Sequence, residues 1–198
     1  MFHTATGVKI PVPEKIEEKY ILSESWIDFN ISIEKLKPLV EDFLVNLCEP
    51  LLLFIYKPLS EKEEEELCEQ GSGPFHSEVL YLHGQTKKQI CEIMEQFGEI
   101  LLNDGMSQFG IASHETGDEI FIQKYKIVSI YSKEIKQYLY LMDQYGISET
   151  DHLITAWDTF SQEHPGECSK VTIDEKDIYD VVELLKEKGM YRVKIVDD

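Results

Sequence analysis

The stretch LLLFIY, Leu51 to Tyr56, lies between Pro50 and Pro58, and the fold is read outward from it. Six apolar residues in a row, closed off by proline at both ends, are too short for a core helix. They predict a strand buried on both faces. This is also the longest apolar run in the chain, far short of the roughly 20 residues that span a bilayer.

Upstream, Ile33, Leu36, Val40, Phe43, Leu44 and Leu47 recur at three- and four-residue spacing, which predicts an amphipathic helix over Ser32–Leu47. Pro38 falls inside it, so the regular helix either starts there or kinks. The partial alternation Trp26, Ile27, Phe29, Ile31 predicts a strand within Tyr20–Ile31. Residues 1–19, with Pro11 and Pro13, read as an irregular lead.

Downstream, Ser60 with Glu63 forms a capping box that opens an acidic helix, and Gly71 is placed to end it. Gly71 to Pro74 reads as a turn, and Ser77–Leu82 as a strand. Thr86 with Gln89 caps a second helix carrying Ile90, Ile93, Met94, Phe97 and Leu101. A strand over Met106–Ala112 follows, and then Glu119–Ile122 and Ile127–Tyr131, which read as two strands or as one long bent strand. The turn Ser113–Gly117 joins the first two as an antiparallel hairpin. Ser132 caps a helix ended by Gly146, and Ile178, Val181, Val182 and Leu185 mark a last helix ended by Gly189. Short strands are expected at Leu153–Trp157, Lys170–Ile173 and Arg192–Val196. The class is therefore α/β or α+β: one domain over residues 20–198, a mixed sheet with a central antiparallel meander and helices packed on it.

Of 198 residues, 38 are acidic and 19 basic, a net charge of −19, and Arg192 is the single arginine. Such a surface is repelled by phosphate backbones and anionic lipid, so neither nucleic acid nor membrane is expected as a partner. It favours encounter with a basic protein. Hydrophobic residues make up 42%, enough for a packed core. The four cysteines form no C-x-x-C pair. Cys48 and Cys91 fall in apolar helical patterns and read as small buried hydrophobes with reduced thiols. Met1–Glu14 has neither a charged n-region nor an apolar h-region, so no secretory leader is expected and the location is taken as cytoplasmic.

Neither a glycine-rich phosphate loop nor a G-x-S-x-G elbow is present, and no cofactor is expected. The histidines lack metal-binding register. His114, Glu115, Asp118 and Glu119 form the nearest ligand-like group, and they read better as a polar turn. Strand ends are where open α/β sheets hold ligands. That singles out Asp104 and Ser107, and Asp158 with Thr159, with Trp157 and Phe160 as pocket walls. A hydrolase or metal-dependent enzyme would use Asp104 and Asp158 with His114 or His152. Opposed to this is a binding module. Glu61, Glu63, Glu64, Glu65 and Glu66 carry five carboxylates against one lysine, Lys62, on one short helix, a repulsion that a cationic partner would relieve. In size and acidity the chain is similar to bacterial immunity or antitoxin proteins, a likeness of composition and not of motifs. A regulatory or structural subunit is the third expectation.

Overall fold

The computed structural model describes residues 2–67 and 76–197. Among these residues the chain forms five α-helices and eleven strands, a mixed α/β fold built on one nine-stranded, mostly antiparallel sheet. The strands are β1 (Val8–Lys9), β2 (Lys19–Leu22), β3 (Trp26–Phe29), β4 (Leu51–Pro58), β5 (His76–Gln85), β6 (Gln108–Ser113), β7 (Glu119–Ile122), β8 (Val128–Tyr131), β9 (Ser148–Glu149), β10 (Glu167–Cys168) and β11 (Tyr191–Asp197). The helices are α1 (Ile33–Asn46), α2 (Glu61–Leu67), α3 (Lys87–Asn103), α4 (Leu139–Tyr145) and α5 (Ile178–Glu187).

The large sheet runs β11-β5-β4-β6-β7-β8-β3-β2-β9, and only β2 and β9 pair in parallel. The expected meander is β6-β7-β8. β1 and β10 pair separately beside it.

Alternation along each strand sorts its side chains to two sides. Leu53 and Ile55, Leu80, Phe109, Ile120 and Val128 are fully buried in one core cluster with residues of α1, α3, α4 and α5. α2 buries nothing. Among the described residues β4 is thus covered by helices on one side only, a correction to the expectation that both faces are buried. Leu52 and Tyr56, on its other side, are partly exposed.

Local chemistry sets the element ends. The Thr86–Gln89 capping box closes as expected, with Gln89 N–H donating to Thr86 Oγ1 at 3.2 Å and Thr86 N–H to Gln89 Oε1 at 2.8 Å. Ser60 and Glu63 do the same for α2. Gly71 and the turn through Pro74 lie outside the described residues. α1 continues through the exposed Pro38. Tyr20–Ile31 folds as the β2-β3 hairpin and not as one strand.

Two expected strands are absent at their places. Ala156–Thr159 is a 3-10 turn closed by a capping box from Thr155 and Asp158, which draws Leu153–Trp157 out of extended geometry. In Lys170–Ile173 only Ile173 bridges, to Lys176 across a tight turn. Cys48 and Cys91 are exposed free thiols and not core residues.

The lead segment packs down through its own small cluster: Ala5, Val8, Ile10 and Ile16 with Ala156. Gly7 and Gly105 make this possible. Gly7 N–H donates to Asn103 O, Ser169 N–H to Gly7 O, and Gly105 N–H to Ser169 O, at 2.8, 2.8 and 3.0 Å. A Cβ on Gly105 would sit 1.9 Å from Gly7 O, so three backbone segments meet where no side chain fits.

Candidate functional site

The residues singled out from sequence serve local structure. Asp104 is fully buried, and its carboxylate accepts from the N–H groups of Met106, Ser107 and Val171 at 2.8–3.1 Å. Both oxygens are therefore committed to backbone. Nearby, Lys126 donates from Nζ to Leu101 O at 3.2 Å, and burial pushes its ammonium down to about 8 against the pull of Asp104. Ser107 is buried, with no hydrogen bond from its hydroxyl among the described residues.

Asp158 accepts from Thr155 N–H and Oγ1 at 2.7 and 2.9 Å, bonds that hold it below the usual carboxylate range. Thr159 Oγ1 donates to Ala156 O at 2.7 Å. Trp157 and Phe160 flank the Tyr125 ring, at 4.7 and 4.8 Å between centroids, and so close an aromatic cluster and not a pocket. His152 lies on the exposed loop before them, its carbonyl accepting from Thr150 Oγ1. Two grooves, of about 380 and 420 Å³, are lined by none of these residues.

The acidic helix α2 is also largely committed to its own chain. Glu63 caps Ser60 and lies 3.5 Å from Lys57 Nζ, Glu64 binds His76 through Nδ1 at 2.8 Å and N–H at 2.7 Å, and Glu66 reaches Lys62 at 3.9 Å. Glu61 and Glu65 have no hydrogen bond or ion pair with a described residue. The five carboxylates therefore do not form one free platform.

What alternation places on the uncovered side of the sheet is more unusual. Register aligns Tyr191, Tyr81, Phe54, Gly110, Phe121, Ser129 and Asp28 in one row across seven strands. A second row holds Leu52, Ala112, Glu119, Tyr131 and Trp26. Solvated faces of antiparallel sheets are normally polar. Here Phe54 meets Phe121 at 5.4 Å and Tyr81 at 6.4 Å, Tyr56 meets Phe121 at 5.5 Å, and Trp26 meets Tyr131 at 4.8 Å. Gly110 is the floor under Phe54: a Cβ there would lie 2.2 Å from the ring and 2.6 Å from Ile120 O.

Glu119 stands among these rings. Its carboxylate has no hydrogen bond or ion pair with a described residue, and burial pushes its pKa up. The same surroundings raise Tyr56, through burial first and then through Tyr81 and Glu119. At the end of the face His83 Nδ1 and His114 Nε2 lie 2.8 Å apart, beside Tyr191 and Tyr81.

Sequence reasoning missed this face because its residues come from seven separate strands. The available signal was the alternation itself, in which each aromatic sits one residue from a core aliphatic. The sequence groups His114 with Glu115, Asp118 and Glu119. The structure gives Asp118 to the Tyr138 hydroxyl at 3.0 Å and brings His83 to His114 instead. Among the described residues no three His, Cys, Asp or Glu side chains group as a metal site, and no helix is long and apolar enough to cross a membrane. Comparison with protein-family models, with curated proteins and with solved structures finds no match to this chain.

Proposed function

We propose that this protein is a binding module that receives a basic protein partner on the open aromatic face of its sheet, around Glu119. The observation that carries the reading is a half-buried carboxylate without a partner among the described residues, set among Tyr56, Phe121 and Tyr131. A carboxylate beside aromatic faces suits a lysine or arginine side chain, which gains an ion pair and a cation–π contact in one place. The net charge of −19 steers such a partner in from a distance.

Aromatic sheet faces elsewhere stack nucleic-acid bases, but Glu119 and Asp28 on this face and the acidic exterior oppose a phosphate backbone. The exposed thiols of Cys48 and Cys91 suit a reducing, cytoplasmic setting. Neutralising a basic toxin, as an immunity protein does, is one concrete form of this role. The hydrolase reading loses support because Asp104 and Asp158 are already spent on backbone N–H groups.

Trp26 reports on the face directly, since it lies on it against Tyr131. In a Trp157→Phe background, titration with an arginine-rich peptide is expected to change Trp26 emission. A glutamate-rich peptide is expected to do nothing, and the response should fade by about 0.5 M salt. Phe121→Ala and Glu119→Gln are each expected to weaken binding about tenfold. Binding that is equally tight in both variants would show that the peptide sits elsewhere and would overturn the reading.

A further inference from the structure

We propose that His83 and His114 form a two-nitrogen site for a divalent transition-metal ion of the copper(II) or nickel(II) class. His83 lies on β5 and His114 in the turn just after β6, and these two strands are not neighbours. β4 lies between β5 and β6, and the side chains reach across it on the open face. Their nitrogens, Nδ1 of His83 and Nε2 of His114, are 2.8 Å apart, while the ring centroids are 4.8 Å apart. The nitrogens therefore lie between the rings and face each other.

Only one proton fits between two such lone pairs, so the pair holds at least one bare nitrogen whichever tautomer is present. A metal ion can take that proton's place. Two bonds of about 2.0 Å meeting near a right angle put their nitrogens about 2.8 Å apart, the donor spacing of a tetragonal ion. Both rings are exposed, and turning each by about 45° directs both lone pairs to that point.

The surroundings hold the ligands ready. Tyr191 stacks on His83 at 5.8 Å and Tyr81 meets it edge-on at 5.5 Å. His114 N–H donates to Pro50 O at 3.0 Å, and the turn after it is fixed by Glu115 and Thr116 N–H groups donating to Ser113 Oγ. With two protein donors, water fills the remaining positions. Copper(II) then binds most tightly of the divalent series, and its open positions stay available to a donor from outside.

The test uses untagged full-length protein in a His3→Ala background, which removes the imidazole next to the amino terminus, a competing copper ligand. Copper(II) is titrated with calorimetry and electron paramagnetic resonance as readouts. One ion per chain is expected, with the superhyperfine pattern of two imidazole nitrogens. His83→Ala and His114→Ala should each weaken binding at least tenfold, and His152→Ala should leave it unchanged. Equal affinity in all three variants, or a spectrum lacking two nitrogens, would overturn the proposal. Peptide binding at Glu119 is read separately, so the two results stand or fall apart.

Discussion

The two faces of the one large sheet are built from the same strands by opposite means. On the helical side Leu53, Ile55, Leu80, Phe109 and Ile120 are all 0% exposed, because α1, α3, α4 and α5 supply the hydrocarbon that covers them. On the open side Tyr56, Tyr81, Phe121 and Tyr131 keep part of their surface in water, and Trp26 is 45% exposed. Aromatic rings can shield one another edge-on in a single layer while their hydroxyls reach solvent, which aliphatic chains cannot do. The difference separates stability from contact: one face holds the fold together, and the other is the face on which the proposed partner would land.

The sharpest way to break this comparison is to disturb charge on the covered face. Lys57 is 4% exposed there, its Nζ 2.9 Å from Glu78 Oε1 and 4.6 Å from the Tyr179 ring centre. Glu78 Oε1 makes the ion pair but not an aligned hydrogen bond, so the ammonium is its main compensation. Lys57→Ala leaves that buried carboxylate, among the described residues, with only the half-exposed Arg192 guanidinium at 3.9 Å from Oε2. A loss of about 3–5 kcal/mol is expected in urea unfolding. Lys57→Met together with Glu78→Leu should lose far less, because no buried charge is left behind.

Two phenylalanines on neighbouring strands test the faces against each other. Phe109→Ala empties a fully buried position and should cost about 3–5 kcal/mol. Phe121→Ala, on the open side, should cost about 1–2 kcal/mol, since its ring is already partly wet. Similar losses at both would mean that the open face is as much a core as the covered one. Between them in effect is Gly110→Ala. Its Cβ meets both the Phe54 ring and the backbone at Ile120 O, and only the ring can move. About 1–3 kcal/mol of strain is expected, with Phe54 displaced outward, which near-ultraviolet circular dichroism would register.

Much of the fold was legible because short-range signals carried it. The helices over α1, α3 and α5 follow from three- and four-residue spacing, and the cap at Thr86 from residues three apart. The meander β6-β7-β8 follows from alternation between turns. The candidate site was not legible, for a physical reason. Asp104 reads as a strand-end acid, but its role is fixed by Val171 N–H, 67 positions away. The partnership of His83 with His114 depends on β4 inserting between β5 and β6, a matter of sheet order. The run Leu51–Tyr56 misled in the same way: six apolar residues look alike in one dimension, while alternation gives three to the core and three to the aromatic face.

The smallest expected effect probes that face most directly. Burial raises the Glu119 carboxyl above its ordinary value of 4.5, so the folded chain keeps this proton at a pH where the unfolded chain has lost it. The stability tied to Glu119 is therefore fully present below the ordinary value and falls as pH rises through the raised one. Glu119→Gln keeps the shape and cannot ionise. At about pH 7 the variant should melt at a slightly higher temperature than the wild type, and at about pH 3.5 the two should melt together. Thermal melts across that range decide it. A difference that does not change with pH would mean that water reaches Glu119 freely, and that a cation arriving there would find no dry carboxylate to meet.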